Sequence, residues 1–203
     1  MEPWRLLQLA DSALPAGAFA HSAGLEAAVQ LGRVEGSADL AAFATEALWA
    51  AGALSLPFLR AALAEPGALL RLDTLCDSTL PAHVSNRASR AQGQAFLRAT
   101  APLSPAVEAL ADLVRRERAA GHLAPAFGAA MGVLGAAPEE AARLFLFSAG
   151  RSVISAGVRL GPAAEAVRQH HRSADPAQAA STCPLLDLLQ AHQDRLYSRL
   201  FQS

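Results

Sequence analysis

At 203 residues the chain is long enough for a domain with a substantial core. Its 17 basic residues, all arginine, stand against 18 acidic ones for a net charge of −1, with a pI near 6.6; this gives no electrostatic case for nucleic acid. A hydrophobic share of 52% against 17% charged residues leaves few charges to cover a surface, which points to faces buried against partners and to a large alanine count.

Taken in chain order, Leu6–Ala10 is a short apolar helix, followed by a polar turn through Asp11, Ser12 and Gly17 and a second helix starting near Ser22. Glu2 and Asp11 flank the first apolar run too closely for a secretory signal. Leu40, Phe43, Ala47, Leu48, Ala51 and Leu54 stack on one face of a long helix, which Pro57 is expected to kink or end. Glu46, Pro57 and the alanine content argue against a membrane span there. Pro66 suits the first turn of a restarted helix, and Leu80-Pro81 breaks the chain before a helix from about Ala82 to Ala99.

Ser104-Pro105 has the form of an N-cap with proline behind it, and Gly121 is a plausible stop. A shorter helix around Phe127, Met131 and Leu134 is expected to end at Gly135. Pro138-Glu139-Glu140 opens the next, with acidic charge where the helix dipole favours it. That helix, to about Leu160, is apolar almost all round, which predicts a central position. Its small residues Ser148, Gly150, Ser152, Ser155 and Gly157 permit close neighbours, and Arg151 within it needs an edge or a partner. Residues 173–181 read as a flexible connector and 192–203 as a helical tail. The 3.6-residue period without sustained alternation predicts an all-α, single-domain multi-helix bundle over 1–203, of about eight to ten helices.

Few constellations suggest chemistry. His21 with Asp11, Ser12 and Ser22 has the ingredients of a nucleophilic site, and an all-helical hydrolase using Ser22 and His21 is one alternative function. Those residue types fit caps and a turn without further assumption, and a triad needs orientation and an oxyanion hole that proximity in sequence does not supply. His170 and His171, with His192 further on, are weak candidates for a direct nickel carrier, since imidazole suits nickel. Adjacent helical histidines point about 100° apart and rarely share one ion, so surface histidines are the plainer reading. Cys76 and Cys183 form no CxxC pair and fit a reducing cytoplasm. No phosphate-binding loop of the GxxxxGK[ST] or GxGxxG type is present. Arg87, Arg90, Gln94 and Arg98 make a stripe on one helix face, readable as a solvated face or as a docking strip for an acidic partner.

In the tail, Leu196, Tyr197, Leu200 and Phe201 share one side with Arg195 and Arg199 on the flank. Burying roughly 500 Å² of apolar surface yields on the order of 12 kcal/mol at most, while fixing about ten residues costs roughly 10–15 kcal/mol. The terms nearly cancel, so the tail is expected to order when a second surface covers it. A last core helix docked in the monomer is the alternative.

Several blocks carry a resemblance. The opening runs Leu6-Leu7-Gln8-Leu9-Ala10-Asp11-Ser12-Ala13-Leu14-Pro15-Ala16-Gly17-Ala18-Phe19-Ala20-His21-Ser22-Ala23-Gly24-Leu25-Glu26, and the ending Asp194-Arg195-Leu196-Tyr197-Ser198-Arg199-Leu200-Phe201-Gln202-Ser203. Between them lie Ser85-Asn86-Arg87-Ala88-Ser89-Arg90-Ala91-Gln92-Gly93 and the helix from Leu144 through Ser152-Val153-Ile154-Ser155-Ala156-Gly157 to Pro162. The chain resembles the urease accessory protein UreF family, although Ala18 stands where that family often has the second of two glycines.

The resemblance implies a non-catalytic cytoplasmic scaffold that dimerises and binds UreD (also called UreH). It also implies recruitment of the GTPase UreG to apo-urease, so that nickel and the carbamylated lysine are installed, with a role in controlling GTP hydrolysis. No cofactor is expected on this chain itself: nickel is cargo, and UreG binds the GTP. Arg195, Tyr197, Arg199, Leu200 and Phe201 are the expected contacts to UreD. Arg87 and Arg90, with Asp11, Ser12 and His21 of the opening, are the expected contacts to UreG or to a second copy. Neither nucleic acid nor a membrane is expected as a partner.

Overall fold

Eight α-helices and two 3-10 turns make up the computed structural model, which describes residues 3–11, 14 and 22–161. Among these residues there is no strand. All of them fall in one compact unit, Met1–Ala166. The expected connector at 173–181 and tail at 192–203 lie outside the described residues.

The helices are α1 (Pro3–Ala10), α2 (Leu25–Gln30), α3 (Ser37–Ala64), α4 (Leu69–Thr79), α5 (His83–Thr100), α6 (Pro105–Arg116), α7 (Leu123–Val133) and α8 (Pro138–Leu160). Several begin and end where short-range chemistry directs. Ser104 Oγ accepts the Ala106 N–H at 3.2 Å, with Pro105 in the first turn of α6. Pro66 opens a 3-10 turn that leads into α4. Asp39 and Glu140 reach back to the Gly36 and Ala137 N–H groups at 3.2 and 3.1 Å, each satisfying an orphan donor at a helix start. Gly135, at φ 72°, ends α7: its N–H reaches the Gly132 carbonyl while Ala136 N–H reaches Met131, a Schellman closure.

Two expected stops fall elsewhere. Helix α3 runs through Pro57 to Ala64. Proline removes the hydrogen bond to the Ala53 carbonyl, and because both residues are exposed that carbonyl is left on the water side at little cost. Helix α6 ends at Arg116 rather than at Gly121. Arg118, at φ 51°, takes the left-handed position, and Ala119 N–H closes on the Val114 carbonyl at 3.0 Å.

The helix at the centre is α7, not α8. Every residue from Ala124 to Met131 is buried, and α7 lies most extensively along α3. Gly128 and Gly132 make that approach possible, since a Cβ on either would stand 2.2 Å from the Leu59 carbonyl oxygen or 2.5 Å from that of Leu63. Phe127 stacks tilted on Phe96 of α5 at 4.9 Å and edge-on against Phe145 of α8 at 5.4 Å, geometries that aromatic rings favour.

Helix α8 leaves Ile154 and Val158 exposed, so its apolar circumference does not make it central. It crosses α3 through Gly150 and Gly157, the latter with Leu40 Cδ2 at 2.6 Å from where a Cβ would sit. Leu25, Val34, Leu40, Ala44, Val153 and Ala156 form a second core where α2, α3 and α8 meet. Arg151 finds a partner as required: it donates to the Ala10 carbonyl at the end of α1 and lies 5.7 Å from the Phe147 ring.

By length and composition, α3 is the single described helix capable of crossing a membrane. In this fold it lies along α7 and α8, and Trp49 on it is 76% exposed.

Candidate functional site: a polar junction beneath the arginine helix

Helix α4 places Asp73, Cys76 and Asp77 on the side facing α5 and the start of α7. Asp73 is 2% exposed, and its carboxylate accepts the Gly121 N–H at 3.0 Å and the His122 N–H at 2.6 Å. Ser89 Oγ, from α5, accepts the Leu123 N–H at 3.3 Å. The N-terminus of α7 is therefore capped by side chains from two other helices, with a negative charge where its dipole is positive.

His122 sits fully buried in the middle. Its Nε2 lies 2.9 Å from Asp77 Oδ1 and its Nδ1 3.1 Å from Ser89 Oγ. The tautomer with hydrogen on Nε2 gives every group in the set a partner. Nε2–H donates to Asp77, the Ser89 hydroxyl donates to Nδ1, and the Ser89 oxygen accepts from Leu123. Among the described residues no buried side-chain nitrogen or oxygen lacks a partner.

Asn86 donates to Asp77 Oδ1 at 2.8 Å and to the Leu80 carbonyl at 3.4 Å. Hydrogen bonds from Asn86 and from His122, with Arg90 nearby, hold the Asp77 carboxyl below the usual carboxylate range. Burial, reinforced by Asp73 and Asp77, pushes the Cys76 thiol up to about 11, so it stays protonated and a poor nucleophile near neutrality. Gln94 Nε2 donates to the Ala120 carbonyl at 2.9 Å. Gly93 lies flat against the same loop, where a Cβ would meet Gly121 O at 2.1 Å and Leu123 N at 2.6 Å.

Serine, histidine and aspartate in contact invite comparison with a hydrolytic triad. That chemistry needs an accessible nucleophile and free oxyanion donors. Here the ring is sealed and the serine oxygen is already occupied by a backbone N–H, so the arrangement pins helices together.

The segment Ser85–Gly93 thus divides by face. Asn86, Ser89 and Gly93 serve the junction, while Arg87 and Arg90 are exposed, Arg90 within electrostatic reach of Asp77. Gln94, read as part of the stripe, turns inward; Arg98 stays exposed. Asp11 is exposed just past α1. Ser22 Oγ accepts the Glu26 N–H at 3.4 Å, a capping use. Ser12, His21, His170, His171, His192, Arg195, Tyr197, Arg199, Leu200 and Phe201 lie outside the described residues. Within the described residues no group of three His, Cys, Asp or Glu side chains is placed to hold a metal.

His122, Asp73 and Asp77 carry no signal of their own in the sequence. Asn86, Ser89 and Gly93, at i, i+3 and i+7, do mark a second, inward face of α5.

Fold and junction together define an all-α protein whose buried polar groups lock helices into place. Comparison with known sequences extends this. The UreF family model matches residues 34–170. Urease accessory protein F of Oryza sativa subsp. indica is 38% identical, over 98% of this chain and 84% of its own length, and its namesake in Arabidopsis thaliana is 37% identical over 98% and 92%. Urease accessory protein UreF of Mycobacterium tuberculosis (strain ATCC 25618 / H37Rv) is 32% identical over 98% and 97%. The chain belongs to the UreF family of urease accessory proteins, and its role lies in urease maturation.

Proposed function

We propose that the chain is a non-catalytic cytoplasmic scaffold of urease maturation. It binds UreD (UreH) and brings the GTPase UreG to apo-urease, so that nickel, as cargo, enters the urease site. It works as a homodimer and without a cofactor of its own. Neither nucleic acid nor membrane is a partner. Family membership along 98% of the chain is the observation that carries this reading. Three features support it: exposed Arg87 and Arg90 on a helix anchored from behind, exposed Trp49, Ile154 and Val158, and polar groups used for anchoring. Arg87 and Arg90 face UreG or the second copy. Arg195, Tyr197, Arg199, Leu200 and Phe201 face UreD.

Reconstituted activation of apo-urease by nickel, GTP, UreD, UreG and this chain tests the proposal. The Arg87→Ala/Arg90→Ala double variant should activate poorly at unchanged helix content, and truncation before Asp194 should abolish co-purification with UreD. Normal activation by the first, or undiminished binding by the second, refutes the corresponding assignment.

A further inference from the structure

Helix α5 is anchored unevenly. Its buried residues are Gly93, Phe96, Leu97 and Thr100, all in the C-terminal half, and none of residues 83–92 is buried. Among the described residues, the half that presents Arg87 and Arg90 therefore has no fully buried apolar anchor. The described contacts that hold it are polar: Asn86 to Asp77 at 2.8 Å, Asn86 to the Leu80 carbonyl at 3.4 Å, Ser89 to His122 at 3.1 Å, and the Leu123 N–H to Ser89 Oγ at 3.3 Å. Asp77 joins these, because the same Oδ1 accepts from Asn86 and, at 2.9 Å, from His122 Nε2.

We propose that Asp77 and His122 are a positioning pair that fixes the first turns of α5, and with them the direction in which Arg87 and Arg90 are offered to a partner. Residues 86 and 89 share one helix face and 87 and 90 share another about 100° away. Pinning the first face sets the second. Asp77 touches no partner in this scheme; it acts through Asn86 and the imidazole. Its side chain is 49% exposed, so substituting it leaves the apolar core intact.

The consequence for partner binding rests on the proposed docking role of Arg87 and Arg90, whereas the consequence for α5 itself does not. Hydrogen exchange on the full-length chain reads the latter. Asp77→Ala should raise amide exchange in 83–92 by about tenfold or more and leave α3 and α7 protected. Asp77→Asn keeps an oxygen that accepts from His122 Nε2–H, and should restore protection. Unchanged exchange in Asp77→Ala, or no rescue by Asn, overturns the proposal.

Titration with the purified UreD–UreG pair completes the test. Asp77→Ala should weaken binding about tenfold, with Asn again restoring it. If Arg87→Ala/Arg90→Ala binds poorly while Asp77→Ala binds as the parent does, the positioning pair is refuted. If the double arginine variant itself binds normally, the docking assignment fails, and the exchange data still decide on the pair.

Discussion

Gly93 and Arg118 carry opposite predictions because their backbones are stressed in opposite ways. Gly93 has no room for a methyl group against the Gly121 carbonyl, so Gly93→Ala should cost on the order of 3 kcal/mol through displaced backbone, visible as a lowered Tm. Arg118 holds a left-handed conformation at φ 51° that glycine adopts freely, so Arg118→Gly should stabilise by about 1 kcal/mol, read by urea denaturation. Cys76 supplies a pH dependence. Its thiol titrates near 11 in the folded chain against 9.0 ordinarily. The folded state thus keeps a proton that the unfolded chain loses, and stability falls as pH rises from about 9 to 11, by roughly 2 kcal/mol. In a Cys183→Ser background, alkylation at neutral pH should be slow until denaturant is added. Asp77 has the reverse sign: its depressed carboxyl contributes stability above the ordinary carboxylate range and loses it as pH falls below that range.

Helix α7 shows how an element can depend on others for its beginning. Asp73 and Ser89 supply its cap, so Asp73→Ala would leave two buried backbone donors unpaired and should cost about 2–5 kcal/mol. Calorimetric unfolding of that variant checks it; a loss under about 1 kcal/mol would contradict the capping role. Elements whose signals are local were legible in the sequence: Ser104-Pro105, Pro66, Pro138-Glu139-Glu140 and Gly135 mark real boundaries because caps and turns are made by neighbours. Pro57 does not end α3, because a lost hydrogen bond on a solvent face costs little in a helix packed over two others. The apolar circumference of α8 does not correspond to a ring of neighbours, whereas Gly128 and Gly132, four apart on α7, admit the close contacts of α3. The junction was the least legible feature, since His122 meets its partners across 33 and 45 residues and no local pattern announces such a pairing.

For the whole molecule, the arginine face, the exposed Trp49 of α3 and the membership in the UreF family support one account: a helical frame held rigid from within and completed by other proteins. Trp49, Ile154 and Val158 are exposed. Exposure of large apolar side chains is ordinary one at a time, and their placement gains weight only beside a role in maturation. The most direct measurement is light scattering during size-exclusion chromatography of the full chain, alone and mixed with purified UreD and UreG. The account predicts a dimer that shifts quantitatively into a larger complex containing all three proteins. A monomer whose elution and mass are unchanged by either component would contradict it.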